Sequence, residues 1–436
     1  MTHSRFLLER ARVIDPAANL DQVCDVLIEP GRIEVAPFSV PAEVTRLDCR
    51  GLWALPGLID LQVHFREPGF EHKETIATGA QAAFAGGVTT VVVMPNTKPT
   101  LDTPEAVRFQ RERGDDAGLH LLVAAAASCG IAGTTLSDHG ALKAAGAVAV
   151  TDDGFPLLDD GLMLRSLELC RAHDLLFMQH AEDTRMSRHA PMNEGEVSRA
   201  LGVMGQPADA EGVVVERDLK LALEIGARYH VLHTSTARSL QAIRAAKQQS
   251  STISCEASPH HLLLSDEACR GGDPNTKMNP PLRSEADRRA LVQALCDGTV
   301  DAVATDHAPH HRDEKAKGFV DAPFGVTGLE TAFAAVLSFV HDGLIDETRA
   351  VSLMTKGPAH VLRNPGLGTL AAGALRADLC LVDPARAWVV DEGSLRSRSR
   401  NSCFLGRAFR GRVVATFAQG RAVYDLDGRC AAPGGS

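Results

Sequence analysis

Between roughly residues 57 and 360 the chain alternates apolar, strand-like runs with helical stretches, and it does so eight times. The runs are GLIDLQVHF, TTVVVMPN, GLHLLVAAA, AVAVTDDG, LLFMQHAE, YHVLHTST, TISCEASPHH and DAVATDHAPH. Between them lie Ala/Leu/Glu/Arg-rich segments such as TGAQAAFAGG, LMLRSLELCRAH, ERDLKLALEIGA and ARSLQAIRAAKQ, whose apolar spacing predicts helices. Eight strands with intervening helices predict a (β/α)8 TIM barrel, with a doubly wound sheet as the competing layout. The ends of the runs favour the barrel. Polar residues close almost every one: His64, Asn96, Asp153, His180, His233, His260 and Asp306. In a parallel barrel those ends converge on one face, where active sites form. A single histidine after a strand is ordinarily a hydrogen-bonded structural group, but packing alone does not repeat the pattern at successive strands.

The flanks read differently. FLLERARVI, CDVLIEPGRIEVA and VTRLDCRGLWAL in the first 56 residues, and ADLCLVDP, AWVV and GRVVATFAQGRAVYD near the other end, are β-rich runs separated by Pro, Gly and Asn. They predict a small β-sandwich domain built from residues 1–56 and 361–436 around a barrel of residues 57–360. A length of 436 residues suits one large barrel with a smaller companion. The balance of 45 basic and 55 acidic residues gives −10, which excludes a general nucleic-acid-coating protein. Any anionic ligand therefore needs a locally positive pocket. The ten cysteines are scattered with no C-x-x-C, as in a reduced cytoplasmic protein. No signal peptide is visible, and the longest nearly apolar stretch, LLVAAAASCGIAG, falls short of the ~20 residues of a membrane helix.

The candidate site starts at Asp60-Leu61-Gln62-Val63-His64-Phe65-Arg66. Residues two apart on a strand share a side, so Asp60, Gln62, His64 and Arg66 point one way. The alternative is an Asp60–Arg66 ion pair beside an ordinary histidine. His180, His233, Asp153 and Asp306 end four further runs and tip the balance. Neutral imidazoles with carboxylates suit zinc or a similar divalent ion, and Asp153 is placed either to bridge two ions or to serve one. His230 competes with His233. His260 and His261 also qualify, but as strand neighbours they face opposite sides.

The stretch PGLIDLQVHFREPGFEHKETIATGAQAAFAGGVTTVVVMPNTKP closely resembles dihydroorotases of the bacterial class I kind, members of the metal-dependent amidohydrolase superfamily. The resemblance continues through TDDG, HAED, HTST, ASPHHL, MNPPLR, ATDHAPH, APFGVTGLET and GTLAAGALRADLCLVD. It implies hydrolysis of cyclic dihydroorotate to N-carbamoyl-L-aspartate in pyrimidine biosynthesis. It implies one or two zinc ions on His64, Asp153, His180, His233 and Asp306, with Asp306 as general acid/base. Arg66, Asn96 and His310 match contacts to the substrate carboxylate. Asn279 and the backbone at Phe324 and Gly325 match ring contacts. A homo-oligomer, such as a dimer, and association with aspartate carbamoyltransferase are the implied partners; no nucleic acid or membrane is.

One residue departs from the family's D-x-H-x-H motif: Gln62 stands where its first histidine belongs. A neutral amide oxygen is a poorer zinc ligand than imidazole, so Gln62 either weakens one metal position or does another job. Two alternatives to a catalytic dihydroorotase follow. One is a non-catalytic scaffold for aspartate carbamoyltransferase, against which the other retained residues argue. The other is a hydantoinase- or allantoinase-like enzyme, disfavoured by Arg66 and MPNT. The polar segment 310–325 that follows Asp306 reads as a mobile lid over the pocket.

Overall fold

The structure, a computed structural model, describes residues 5–430. Eight parallel strands, Leu58–Val63, Val88–Val93, His120–Ala126, Ala147–Thr151, Leu176–Gln179, Tyr229–Val231, Ile253–Ala257 and Ala302–Val303, pair in chain order without a reversal. The seam between the last and the first closes through a parallel bridge between Val63 and His307, with His64 N donating to His307 O at 2.8 Å. The arrangement is a (β/α)8 barrel, and all eight predicted runs supply its strands.

The two faces of each strand explain the closure. Val91, Val93, Phe177, Tyr229 and Val231 face outward and pack with Ile76, Leu167, Leu219, Leu240 and Ile243 of the surrounding helices. Val92, Ala124, Ala149, Met178 and Ala302 belong to a separate inner cluster, which fills the barrel interior by mixing large side chains with alanines. The helices start where the sequence offers caps. Thr75 opens Ile76–Ala85 by accepting from Thr78 N, and Asp159 opens Asp160–His173 by accepting from Leu162 N. Asp174 at φ 48° ends the second of these. Gly86 follows the first because a Cβ there would meet Leu329 O at 2.1 Å.

Strands from both flanks share one mixed sheet. Phe6–Asp15, Leu20–Glu29, Arg32–Val35, Thr45–Asp48 and Trp53–Pro56 join Leu379–Val389, Ala408–Ala418 and Arg421–Asp425, with Trp53–Pro56 antiparallel to Leu379–Val389 at the centre. ADLCLVDP and AWVV are one strand rather than two. Its register shifts between Asp383 and Ala387, which lets Pro384 sit in the strand without breaking the ladder. Phe6 and Phe417 meet edge to face at 5.3 Å although two strands separate theirs in the sheet. The sheet therefore curls over its own apolar face, giving a sandwich-like core of Leu8, Val13, Val26, Ile28, Leu381 and Phe417. Asp15 ties this sheet to the chain leaving the barrel, accepting from Thr369 Oγ1 at 2.8 Å and Leu370 N at 2.7 Å.

Phe417 is fully buried at the contact between the two flanks. Phe417→Ala is expected to lower unfolding free energy by about 3–5 kcal/mol in denaturant titration, and Phe417→Leu by clearly less.

Candidate active site

The first strand is irregular between Asp60 and Val63, and Asp60 explains what the irregularity accomplishes. Its carboxyl accepts from Thr305 N at 3.0 Å, Thr305 Oγ1 at 2.6 Å and Gln62 N at 3.2 Å. Burial pushes this carboxyl up to about 7, against the pull of the Thr305 hydrogen bonds. The alternative ion pair with Arg66 does not form; Asp60 joins the first strand to the eighth, beside the two residues that follow, His64 and Asp306.

Those two meet at once. His64 Nε2 lies 3.1 Å from Asp306 Oδ1 and 3.2 Å from Asp153 Oδ2. The other oxygen of Asp153 faces a second group: Oδ1 is 3.6 Å from both His180 Nδ1 and His233 Nε2, which are 3.0 Å apart. Asp153 thus sits between His64 and Asp306 on one side and the two remaining histidines on the other. All five side chains are buried. At Asp153, His64 and His180 burial favours the neutral forms, but mutual attraction outweighs it. His233 and His64 hold the Asp153 carboxyl well below the usual carboxylate range. The carboxylates raise His64, and Glu182 and Asp153 raise His180.

The donor set fits a divalent cation. Asp153 Oδ1, His180 Nδ1 and His233 Nε2 are 3.0–3.6 Å apart, close to the ~3.3 Å edge of a tetrahedron with ~2.0 Å metal–ligand bonds. Glu182 Oε2 accepts from His180 Nε2 at 2.9 Å, which directs the lone pair of His180 from Nδ1 toward the other two donors. Although burial favours its neutral form, the His180 bond holds the Glu182 carboxyl at about 2. Gln62 borders this set. Its Nε2 donates to Asp153 Oδ1 at 3.3 Å, and its buried Oε1 has no partner.

The same cavity, about 220 Å³, is also lined by Arg66, Asn96, Asn279, Phe324 and Gly325. Arg66 Nε donates to Pro309 O at 3.1 Å, while its terminal nitrogens meet no carboxylate within ion-pair distance among the described residues. Burial pulls this guanidinium down to about 10. His310 is held neutral by burial and by the nearby Arg66 and Lys73, and its Nε2 donates to Phe324 O at 2.7 Å. That bond occupies the nitrogen 3.2 Å from Arg66 and leaves the guanidinium edge open. Asn96 Nδ2 donates to Asp153 O at 2.6 Å. Asn279 Nδ2 donates to Glu182 Oε2 at 2.7 Å. The site's backbone is strained: Arg66, His233 and Asp306 have φ of 61°, 27° and 48°.

Several sequence expectations resolve differently. His260 and His261 are not strand neighbours; Pro259 starts a short helix, Pro259–Leu263, and His261 Nε2 bonds Pro280 O at 2.9 Å. His230 does not compete with His233, because it lies between Ser254 Oγ at 2.8 Å and Glu256 Oε2 at 3.0 Å. The segment 310–325, read as a lid, contains a short helix, Arg312–Lys315, and here rests against Pro274 through Lys315 Nζ, a contact that is compatible with a lid in its closed position. Two supporting residues escaped sequence reasoning. Glu182 lies two residues after His180, inside HAED. Asn401 comes from the distant return to the end sheet. Its Oδ1 accepts from His310 N at 3.1 Å, and its Nδ2 donates to Ala308 O at 3.3 Å and Gly325 O at 3.1 Å.

A barrel that gathers imidazoles and carboxylates at its strand ends over one cavity has the architecture of the amidohydrolases. L-Hydantoinase (dihydropyrimidinase) from Arthrobacter aurescens shares it with a TM-score of 0.84 and 24% identity, over 98% of this chain and 97% of its own. D-Hydantoinase (dihydropyrimidinase) from Thermus sp. aligns with a TM-score of 0.82 and 23% identity, over 96% and 95%. These likenesses carry the fold. The dihydro-orotase-like family profile matches residues 51–239. A dihydroorotase of Syntrophus aciditrophicus is 43% identical over 97% of this chain and all of its own, and one of Anaeromyxobacter dehalogenans is 45% identical over 96% and 98%. The chain belongs to the dihydroorotase family and is a hydrolase.

Glu182→Ala removes the partner that orients His180. It is expected to lower divalent-ion affinity about 10–100-fold in chelator competition, with the circular dichroism spectrum unchanged.

Proposed function

We propose that the chain is a dihydroorotase of the bacterial class I kind. It opens the ring of (S)-dihydroorotate to N-carbamoyl-L-aspartate, reversibly, in de novo pyrimidine biosynthesis. The observation that carries this reading is Arg66, a guanidinium without a carboxylate partner, facing the cavity that holds the imidazole–carboxylate cluster. A half-buried unpaired cation favours a ligand carboxylate, and the planar fork donates two parallel hydrogen bonds to one. Dihydroorotate joins that carboxylate to the cyclic amide. The family membership of the chain points the same way.

His64, Asp153, His180, His233 and Asp306 are the residues we assign to zinc, one or two ions per chain. A bound divalent ion supplies a water acidified to pKa about 7, against ~15.7 in bulk, and a Lewis acid for the amide carbonyl. Arg66, with Asn96 and His310, orients the carboxylate. Asn279 and the backbone at Phe324 and Gly325 hold the ring. Asp306 takes the proton from the attacking water and delivers it to the departing ring nitrogen. The strained backbone at Asp306 fixes its carboxylate before substrate arrives. We further propose a cytoplasmic homo-oligomer, such as a dimer, that associates with aspartate carbamoyltransferase. The described cysteines are all free, in keeping with a reducing compartment.

Purified chain supplied with zinc is expected to consume dihydroorotate and to leave hydantoin and allantoin intact. Turnover of the latter two without dihydroorotate overturns the reading. Arg66→Lys keeps the charge and loses the fork, so kcat/KM on dihydroorotate is expected to fall about ten- to hundred-fold. An unchanged value removes Arg66 from the substrate site.

A further inference from the structure

Lys315 lies at the end of the short helix in the segment between Asp306 and Gly325, and it is only 6% exposed. Its ammonium points inward and meets three backbone carbonyls: Pro274 O at 2.9 Å, Pro323 O at 3.0 Å and Lys277 O at 3.4 Å. An ammonium has three N–H donors and no acceptor, so three carbonyls replace its hydration shell completely. No carboxylate takes part in these contacts. A buried cation solvated only by backbone is expensive to build unless the segments it gathers need to be held.

The gathered segments are two walls of the cavity. The stretch Pro274–Lys277 leads directly to Asn279, and Pro323 precedes Phe324 and Gly325. Two further contacts join the same pieces. Gly325 N donates to Lys277 O at 3.0 Å, so this carbonyl serves Lys315 and Gly325 together. Lys277 Nζ donates to Val320 O at 2.6 Å and lies 4.6 Å from the Phe324 ring centre. Gly325, at φ 120° with its Cβ position 2.6 Å from Ala308 Cβ, has little freedom to adjust alone.

We infer that Lys315 is a positioning residue for substrate binding: its ammonium clamps the Phe324–Gly325 wall to the Asn279 wall, so that the ring-binding surface is formed before substrate arrives. This rests on the dihydroorotase reading of the cavity. Lys315 touches neither the metal-ligand candidates nor the reacting atoms. Its loss therefore weakens substrate binding rather than chemistry.

The clamp is also sensitive to pH. Burial and the neighbouring Lys277 pull Lys315 down to about 7, with Asp273 opposing and Cys403 and Arg66 the other groups facing it. Below this value the ammonium offers three donors. Above it the amine keeps two N–H groups for three carbonyls and loses its charge. KM is therefore expected to rise as pH passes from 6 to 8.5.

The test compares zinc-loaded wild type with Lys315→Met and Lys315→Gln in dihydroorotate kinetics and hydrogen exchange. Lys315→Met is expected to raise KM tenfold or more with kcat within about twofold and metal content unchanged. It should speed exchange at the Gly325 amide and remove the wild-type rise of KM with pH. Lys315→Gln, which keeps two donors without the charge, should fall between and covers a failure of the first variant to fold. An unchanged KM and unchanged Gly325 protection in either folded variant overturns the clamp, as does a loss confined to kcat. Wild-type failure on dihydroorotate overturns the functional reading alone, because Gly325 exchange still tests the clamp.

Discussion

The seam where the eighth barrel strand meets the first governs the rest of the molecule. Asp60 grips Thr305, and the bridge between Val63 and His307 closes the ring. The residues just beyond are His64 and Arg66 on one strand end, and Asp306 and His310 on the other. A barrel open at this seam has its cluster divided and its guanidinium away from the cavity. Burying the Asp60 carboxyl opposes its charge, and three hydrogen bonds offset part of that penalty. Closing the barrel therefore brings His64 and Asp306 to the trio Asp153, His180 and His233 carried by the intervening strands.

Around the cluster, neutral and charged partners are divided by task. Glu182 orients His180, Gln62 donates to Asp153, and Asn401 holds the carbonyls and amide next to His310 and Gly325. The strained backbones of Arg66, His233 and Asp306 persist because their neighbours over-determine them. His233, for example, is followed by Thr234 N donating to Glu256 O at 2.9 Å, and Glu256 is in turn fixed by His230. Gln62 stands in this frame with its amide nitrogen toward Asp153. An amide is a donor as well as an acceptor, and beside a carboxylate the donor end wins.

The barrel was legible because its signal is periodic and repeated. Eight apolar runs with polar ends carry both the strand order and the face on which the site forms. The convergence of His64, Asp153, His180, His233 and Asp306 follows from that geometry. Their partners were harder to read. Glu182 was within two residues of a recognised position, but an acidic residue in a loop has no periodicity to single it out. Asn401 and Lys315 act on carbonyls, which every residue possesses, so their sequence carries no complementary mark. The short helix at Pro259 was signalled by proline after serine, a helix start that the flanking strand pattern obscured. Register irregularity around Pro384 likewise merged two predicted strands into one.

The staple made by Asn401 sets an order in time. A growing polypeptide presents His64, Asp153, His180, His233 and Asp306 in sequence, and then His310 and Gly325, before Asn401 has been synthesised. The cluster is thus available to gather while the wall beside it still lacks its tie. Only when the chain has crossed back toward the strand Ala408–Ala418 does the loop bearing His310 receive this tie. A nascent chain arrested between these points carries every residue of the cluster and of the cavity wall, yet lacks the one side chain that ties His310, Ala308 and Gly325 together.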